Sequence, residues 1–257
     1  MNYALVGYGK MGRAIDDLAR ARGHVRRAVV AGAPPGGLRA QALGGADVAF
    51  EFTRPAAAPA NVLALVQSGV GVVCGTTGWE IDDELRRAAD AGTAAVVVAP
   101  NFSIGMNLFL RIVGDAAARL GRVGLYDPFV HEAHHRGKRD VPSGTARRLA
   151  ATLIAGDARR RTVVEGNPAE RLPADAVQIS STRAGSEPGR HLVGFDGEHE
   201  LILLEHRSRG REGFALGAVL AAEWLRGRRG LHRFEEILDD VLERGASRTG
   251  GASGEGA

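Results

Sequence analysis

Cysteine is almost absent from this chain of 257 residues, in which Cys74 is the only one. An intramolecular disulfide is therefore impossible, and a reducing compartment is expected. No apolar run approaches the ~20 residues that a membrane-spanning helix needs. The chain opens directly on strand-like residues without the pattern of a signal peptide, so we expect a cytoplasmic protein with no membrane partner.

Lysine is nearly absent as well. The 33 Lys and Arg residues include only Lys10 and Lys138, which leaves 31 arginines. Chance drift towards Arg would explain two surviving lysines, but both lie inside the motifs described below. Lys, unlike Arg, is a compact charge that can lose a proton when its pKa is tuned. Both positions are therefore candidates for chemistry or phosphate binding.

Charge of one sign does not dominate. The basic residues are interspersed with 30 Asp and Glu residues, and the net charge is +3. The chain has no basic tail of the kind that binds nucleic acid. A mild positive balance suits small anionic ligands such as nucleotides or dicarboxylates.

Short apolar strands alternate with helices through the first hundred residues. Strands are predicted at 3–6, 27–31, 46–53, 71–74 and 94–99, and helices at 13–22, 56–68 and 82–91. A further helix, capped by Ser103 or Asn101, is predicted to run to about Leu120. This alternation is typical of the α/β class, with a Rossmann-like parallel sheet and right-handed crossovers. Ligands of such sheets bind beyond the carboxyl ends of the strands, where the unusual sequences of this half of the chain lie.

The pattern changes in the second half of the chain. Strands are predicted at 123–131, 162–165, 177–183, 191–195 and 200–206, with helices at 146–155, 215–225 and 234–244. Asp196-Gly197 is a strong hairpin signal. We therefore expect a second, α+β domain built on a largely antiparallel sheet. The Gly- and Ser-rich segment that ends the chain is expected to be disordered.

A glycine-rich turn follows the first strand and has the sequence Gly7-Tyr8-Gly9-Lys10-Met11-Gly12. The spacing is weak alone, but a strand before it and a helix after it favour dinucleotide binding over a turn without a ligand. An acid is expected some 20 residues later to bind the ribose of NAD. Ala31 and Ala33 stand there instead, and no acid appears before Asp47. Nothing in this pattern repels a 2′-phosphate, which Lys10 or Arg39 would attract.

Three of the eight histidines fall within His131-Glu132-Ala133-His134-His135. The spacing matches the His-Glu-x-x-His zinc motif, which requires a helix. Pro128 and the strand-like residues around it predict an extended segment instead, so we expect no metal. Two alternatives remain, solvated polar strand residues or a substrate site. The helix start at Pro142-Ser143-Gly144-Thr145 favours the substrate site, because its amides suit a carboxylate.

Together these motifs resemble the dihydrodipicolinate reductase (4-hydroxy-tetrahydrodipicolinate reductase) family. The most specific match is the string His134-His135, Lys138, Asp140 and Pro142-Ser143-Gly144-Thr145. Further matches lie at 6–12, 75–78, 99–103, 183–185, 194–195, 206–208 and 214–218. The resemblance covers about residues 2–245, in the order of the family.

The resemblance implies a fold and a domain plan. The dinucleotide-binding domain is expected at 1–103 and 217–245. A substrate-binding and tetramerisation domain with an open mixed sheet is expected at 104–216, and a disordered tail at 246–257. The reaction implied is the NADPH- or NADH-dependent reduction of 4-hydroxy-tetrahydrodipicolinate to tetrahydrodipicolinate in diaminopimelate and lysine biosynthesis. The implied assembly is a homotetramer.

The resemblance also implies roles for individual residues. His134 and Lys138 match the proton-donating pair. The substrate dicarboxylate would be held by His135, Ser143, Gly144 and Thr145. The cofactor would be bound by three segments, which comprise Gly7, Tyr8, Gly9, Lys10, Met11 and Gly12, then Gly75, Thr76 and Thr77, and finally Ala99, Pro100, Asn101 and Phe102.

Three other functions compete with this one. A nicotinamide enzyme for another substrate would share the first half of the chain and differ in the second. A zinc peptidase would need a helix at 131–135 and a bound metal. A nucleotide-sensing regulator without chemistry would keep the glycine turn and tolerate loss of Lys138.

Overall fold

A computed structural model of the chain describes residues 1–31, 38–92 and 94–249. Within these residues it forms eleven strands and seven α-helices. The strands are β1 (Asn2–Val6), β2 (Val25–Val30), β3 (Val48–Glu51), β4 (Gly71–Cys74), β5 (Ala95–Val98), β6 (Tyr126–His134), β7 (Thr162–Glu165), β8 (Ala176–Arg183), β9 (Arg190–Gly197), β10 (Leu201–Arg207) and β11 (Gly230–Arg233). The helices are α1 (Lys10–Ala21), α2 (Ala58–Gln67), α3 (Asp83–Ala91), α4 (Ile104–Val123), α5 (Gly144–Gly156), α6 (Glu212–Leu225) and α7 (Leu238–Thr249), and a 3-10 helix spans Ala40–Leu43.

The chain divides into two compact units. The first comprises Met1–Ile104 and the chain from Arg211 onward, and the second comprises Gly105–Gly210. The chain returns to the first unit at Arg211 rather than at the predicted residue 217, because the whole of α6, from Glu212 onward, belongs to that unit.

The first unit holds a six-stranded sheet in the order β11-β5-β4-β3-β1-β2. All five strand pairings are parallel, which confirms the Rossmann-like prediction. The chain leaves β1 for β2 on one side and returns to β3 on the other, so the strand order reverses between β1 and β3. Ligands of open α/β sheets bind at such a point, beyond the carboxyl ends of the strands. The loops that follow Val6, Glu51, Cys74 and Val98 therefore belong to the ligand-binding edge.

Several boundaries differ from the sequence prediction. Helix α1 starts three residues early, because Gly9 already serves as its N-cap. Strand β11 was not predicted, since its four residues show no apolar alternation and lie half-buried at the sheet edge. The predicted disordered tail begins at 246, yet α7 continues to Thr249. Residues 250–257, like the predicted turn at 34–37, lie outside the described residues.

The second unit holds a five-stranded sheet in the order β10-β9-β6-β8-β7. Strand β9 is antiparallel to both β6 and β10, whereas β8 is parallel to both β6 and β7. The expectation of a largely antiparallel sheet is therefore wrong for half of the pairings, and the open mixed sheet that the family resemblance implies is confirmed. The parallel half arises because β6 and β8 pair although a helix and another strand separate them along the chain, which local patterns do not reveal.

Strand β6 alternates between two faces of this sheet, as the two-residue period of a strand requires. Val130 packs with Leu149 and Leu153 of α5 in the core of the unit. Glu132 and His134 follow on the same face and are buried as well. The alternation therefore carries an acid and a histidine into the protein interior beside α5.

Candidate active site

The glycine turn after β1 has the geometry of a phosphate cradle. Gly7 has a φ of 97°, which favours glycine, and a Cβ on Gly12 would lie 2.3 Å from the Gly7 carbonyl oxygen. A Cβ on Gly9 would meet nothing within 4 Å, so space is open in front of the turn. Helix α1 starts at Lys10 and no side chain caps it. Its first amides are thus suited to the pyrophosphate of a dinucleotide.

Tyr8, in the middle of this turn, is fixed by a buried acid. Its hydroxyl donates to the Asp16 carboxylate at 2.9 Å, and Tyr3 and Arg26 donate to the same carboxylate at 2.5 Å each. Burial alone would raise the pKa of Asp16, but the hydrogen bonds from Tyr3 and Tyr8 and the charge of Arg26 hold it below its usual value. The turn is therefore anchored to the first helix by the side chain of its second residue.

A cleft of about 370 Å³ lies beyond the carboxyl ends of β4 and β5. Thr76, Thr77, Ala99 and Pro100 line it, so the structure brings four of the predicted cofactor residues together. Trp79, Arg86 and Arg233 line the same cleft and were not predicted. Arg233 ends β11, a strand that the sequence pattern does not predict.

The side chains of Thr76 and Phe102, two of the predicted cofactor residues, are engaged within the protein. The Thr76 hydroxyl lies 2.6 Å from a Glu51 oxygen and accepts a hydrogen bond from the Thr53 amide at 2.8 Å. Phe102 is buried, and its ring centroid lies 5.0 Å from that of Phe234. Both side chains shape the edge of the sheet and have no free polar group to offer a ligand.

Glu132 is the centre of the polar cluster in the second unit. It is fully buried, and Arg183 donates to its two oxygens at 2.7 and 3.0 Å. His134 Nδ1 contacts the oxygen Oε2 as well. Burial alone would raise the pKa of Glu132, but the hydrogen bonds from His134 and Arg183 hold it well below its usual range. Glu132 is thus a permanent carboxylate at working pH.

This carboxylate orients His134. Because an ionised carboxylate only accepts hydrogen bonds, the proton of the contact belongs to His134 Nδ1. The other ring nitrogen, Nε2, is then the atom that can exchange a proton with a ligand. The same arrangement of an acid behind a histidine fixes the tautomer in many enzymes that transfer protons.

His191 lies edge-on to His134, with the ring centroids 5.1 Å apart. Burial lowers the pKa of His191 to about 3, and the neighbouring His134 lowers it too, so this ring is neutral. Its Nε2 lies 3.1 Å from the Ser143 hydroxyl. His191 thus joins β9 to the start of α5.

The N-terminus of α5 lies beside this cluster. Ser143 is the N-cap and accepts a hydrogen bond from the Ala146 amide at 3.2 Å. Its hydroxyl is buried, which gives Ser143 a structural task in addition to the predicted substrate contact. The helix continues through Gly144 and Thr145, whose amides belong to its first turn and favour an anion in front of it.

Lys138 ends a tight turn that starts at His135, in which the Lys138 amide donates to the His135 carbonyl at 3.1 Å. The Lys138 ammonium donates to both oxygens of Asp140, at 2.8 and 2.9 Å. Burial alone would raise the pKa of Asp140, but the hydrogen bond and charge of Lys138, with a contribution from the Gly144 amide, lower it. The Asp140 carboxylate thus lies beside both the lysine and the start of α5.

The structure places His134, Lys138, Ser143, Gly144 and Thr145 in one region of the second unit, and His135 stands exposed at its border. No role was predicted for Glu132, Arg183 and His191. The i, i+2 spacing of Glu132 and His134 on a strand was a usable signal. Arg183 and His191 reach the site from β8 and β9, through strand pairings that the sequence does not show.

The ligating atoms of Glu132, His134 and His191 lie within 4.8 Å of one another, close enough to hold a metal ion. Two observations argue against one. Strand β6 continues to His134, so the helix that a His-Glu-x-x-His motif needs is not formed. Arg183 also occupies both Glu132 oxygens, and a cation there would face a guanidinium.

Comparison with known proteins identifies the family. The first half of the chain, residues 1–102, matches the family "Dihydrodipicolinate reductase, N-terminus", and residues 105–238 match "Dihydrodipicolinate reductase, C-terminus". The chain belongs to the dihydrodipicolinate reductase family. As a member of this family, it is an oxidoreductase with a Rossmann-like domain for a nicotinamide cofactor.

Curated relatives support the assignment. The 4-hydroxy-tetrahydrodipicolinate reductase of Christiangramia forsetii is 32% identical over 95% of this chain and 100% of its own length. The enzyme of the same name from Chromobacterium violaceum is 40% identical over 77% of this chain and 75% of its own length.

Solved structures support the fold. A dipicolinate-bound dihydrodipicolinate reductase from Paenisporosarcina sp. TG-14 superposes with a TM-score of 0.75 at 24% identity, over 92% of this chain and 99% of that one. An amine dehydrogenase from Mycobacterium smegmatis reaches a TM-score of 0.57 at 10% identity, over 91% and 95%. Among the described residues, none of the helices combines the length and the apolar character needed to cross a membrane.

Proposed function

We propose that this protein reduces 4-hydroxy-tetrahydrodipicolinate to tetrahydrodipicolinate with a nicotinamide cofactor, in diaminopimelate and lysine biosynthesis. The observation that carries the proposal is the cluster of the second unit. It combines a carboxylate-binding helix start, a lysine and a histidine whose tautomer is fixed by a buried acid. These are the groups that a cyclic dicarboxylate needs when a hydride and a proton are added to it and water leaves.

The substrate carboxylates are held by the amides of Gly144 and Thr145 together with Lys138 and His135. Asp140 occupies Lys138 in the free protein at 2.8 Å, so a substrate carboxylate replaces one carboxylate partner of the lysine with another. Exchange of this kind costs less than desolvation of an unpaired ammonium. Two anchored carboxylates fix the ring against rotation, which supplies the orientation that the reaction requires.

Proton delivery falls to His134 and Lys138. The Glu132 carboxylate keeps the proton of His134 on Nδ1 and stabilises the ring while it carries a second proton on Nε2. Arg183 holds Glu132 from behind and prevents it from turning towards the ligand. Glu132 and Arg183 act through His134 and are positioning residues.

The first unit fits a nicotinamide dinucleotide, because Gly9 leaves open space in front of an uncapped helix start. The residues of the glycine turn would hold the pyrophosphate, and Gly75, Thr77, Ala99, Pro100 and Asn101 would line the path towards the nicotinamide. When bound, the cofactor supplies the hydride. The function of the first unit is to orient the cofactor and keep water from it.

The test is a cofactor-oxidation assay on freshly prepared 4-hydroxy-tetrahydrodipicolinate. We expect turnover that depends on this substrate and is inhibited by dipicolinate, a planar cyclic dicarboxylate. Oxidation at the same rate with an unrelated keto acid in place of the substrate would indicate another nicotinamide enzyme. Binding of the cofactor without any turnover would indicate a nucleotide-sensing regulator.

We predict that NADPH is oxidised at least as readily as NADH. No acid stands at Ala31 or Ala33 to bind ribose hydroxyls and repel a phosphate. Lys10 and Arg39, the two cations expected to attract a 2′-phosphate, are both exposed. Residues 32–37, which include Ala33, lie outside the described residues. Values of kcat/KM for both cofactors at physiological ionic strength decide the matter. A preference for NADH above about tenfold, ~1.4 kcal/mol, would contradict the prediction.

We predict that activity requires no metal. Arg183 neutralises Glu132 and leaves little attraction for a cation among Glu132, His134 and His191. Dialysis against a chelator should leave kcat unchanged, and elemental analysis should find no stoichiometric zinc. If added zinc restored activity lost on dialysis, Glu132, His134 and His191 would be a metal site.

We also propose that the protein is a cytoplasmic homotetramer. The sheet face of the second unit that points away from α5 carries Leu201 and Leu203, each about half exposed, at 50% and 51%. Exposed apolar side chains on one sheet face are typical of a subunit interface. Light scattering should give a mass of four chains, and a monomer at micromolar concentration would contradict this.

A further inference from the structure

Glu51 is a further buried acid of the first unit, and it has no part in the function proposed so far. It is the last residue of β3, next to β1 where the strand order of the sheet reverses. Its side chain is fully buried. The other residues of β3 are apolar, so Glu51 is the one charged side chain of this strand.

Four neutral side chains surround the Glu51 carboxylate, and they come from different parts of the unit. Asn61 of α2 donates at 3.1 Å, the Cys74 thiol of β4 at 3.3 Å and the Thr76 hydroxyl at 2.6 Å. Thr53 donates through its hydroxyl as well. The carboxylate therefore links the loops after β3 and β4 to a neighbouring helix.

All four neighbours direct a donor group at the Glu51 oxygens. Thr76 Oγ1 accepts a proton from the Thr53 amide, so its own proton is directed to Glu51. A carboxylate can accept from all four donors at once, whereas a carboxylic acid would need an acceptor for its own proton. Among the described residues no Lys, Arg or His forms an ion pair with it. Glu51 is thus a buried negative charge satisfied by neutral donors alone.

An uncompensated charge in a protein interior acts over several ångströms, because the local dielectric constant is low. The Thr76 hydroxyl lies 2.6 Å from a Glu51 oxygen, and Thr76 also lines the cleft. Only this one side chain separates the carboxylate from the cleft. A nicotinamide ring is neutral when reduced and cationic when oxidised. A fixed anion at the ligand-binding edge of the sheet therefore acts differently on the two forms.

We infer that Glu51 favours the oxidised, cationic form of the bound nicotinamide over the reduced form and so assists transfer of the hydride. In that step a hydride, with both electrons of a C–H bond, leaves the reduced ring and forms a C–H bond on the substrate. The ring gains one positive charge, which the carboxylate stabilises as it develops. The inference rests on the proposed function. Glu51 is a positioning residue, since Thr76 stands between its carboxylate and the cleft.

The experiment compares the dissociation constants of NADP⁺ and NADPH, measured by fluorescence or calorimetry on the full chain. In Glu51→Gln the amide can donate to Thr76 while its oxygen accepts from Asn61, so hydroxyl rotation accommodates the change. We expect the ratio of the NADP⁺ constant to the NADPH constant to rise roughly tenfold, the effect of ~1.4 kcal/mol. Glu51→Asp retains the charge and should keep the ratio within about twofold of that of the wild type.

Controls separate charge from structure. Asp90→Asn removes the charge of an exposed acid in α3 and should leave the ratio unchanged. If Glu51→Gln fails to fold, Glu51→Asn removes the charge, keeps an amide oxygen as acceptor for the surrounding donors and is compared with Glu51→Asp. Equal weakening of both cofactors, in whichever neutral variant folds, would overturn the inference and leave Glu51 a purely structural role. If the wild type binds neither cofactor, the proposed function fails instead.

Discussion

Replacement of Glu132 with Gln is expected to lower kcat by roughly 10²–10⁴-fold, the range that a positioned proton-transfer group typically contributes. The carboxylate accepts from Arg183 and from His134 Nδ1 at the same time. A glutamine has only one acceptor oxygen, so its amide group must face one of these donors. If the amide group faces His134, the ring takes the other tautomer, in which Nδ1 accepts and Nε2 can no longer take up a proton. If it faces Arg183, the guanidinium loses a hydrogen-bond partner in the interior. Cofactor affinity should not change, since Glu132 belongs to the second unit.

The matched control is Glu165→Gln, in the same unit. Glu165 pairs with Arg147 at 2.6 Å, and both side chains are exposed. Exposed pairs of this kind contribute little, so kcat should stay within about twofold of the wild-type value. If Glu132→Gln keeps most of its kcat while binding and folding are intact, His134 needs no fixed tautomer and the proposed proton path is wrong.

The acid stability of the wild type and of Glu132→Gln provides a second measurement. The pKa of Glu132 is lower in the folded protein than in the unfolded chain. Such a group stabilises the fold fully above the unfolded pKa, ~4.3, and that contribution is lost as the pH falls below it. The difference in Tm between wild type and Glu132→Gln should therefore be largest near neutral pH and shrink below about pH 4. A constant difference across this range would show that loss of packing, rather than the carboxylate, explains the variant.

The carboxyl edge of the first sheet was predictable because local sequence determines it. Each strand is a short apolar run and each break is a glycine or proline turn, so the ends of β1, β4 and β5 could be placed within a few residues. The role of Thr76 could not, because its hydroxyl is directed by Glu51, 25 positions away. Glu51 ends an apolar strand and belongs to no recognisable sequence motif, so its charge was the only indication of a role.

The second site was only half predictable, for a related reason. His134, Lys138 and the start of α5 are neighbours along the chain, and their order alone suggested a carboxylate pocket. Arg183 and His191 enter through β8 and β9, where Arg183 pairs with His134, 49 positions away, and His191 pairs with Glu132, 59 positions away. The local pattern around β8 is compatible with antiparallel pairing, and only the crossover through α5 makes it parallel.

Lys138→Arg is expected to be nearly as damaging as Lys138→Ala, with losses in kcat of roughly 10²–10⁴-fold for both. Arg serves at 31 positions of this chain, so a cation alone does not explain Lys here. The structure adds a physical reason. Lys138 donates to both oxygens of Asp140 at 2.8 and 2.9 Å, and a planar guanidinium would form a more rigid bidentate pair with that carboxylate. It would be held away from the substrate, and it does not give up a proton at working pH.

Steady-state kinetics and NADPH binding for both variants test this, and Arg139→Lys, an exposed neighbour, is the control for exchange of the two cations. We expect unchanged NADPH affinity in all three proteins and near wild-type kcat in the control. Asp140→Asn combined with Lys138→Arg separates the two causes. Recovery of kcat in the double variant would show that capture by Asp140 is the defect, whereas continued loss would show that proton donation is. Retention of most of the wild-type kcat by Lys138→Arg alone would make Lys138 an electrostatic anchor and leave His134 as the sole proton donor.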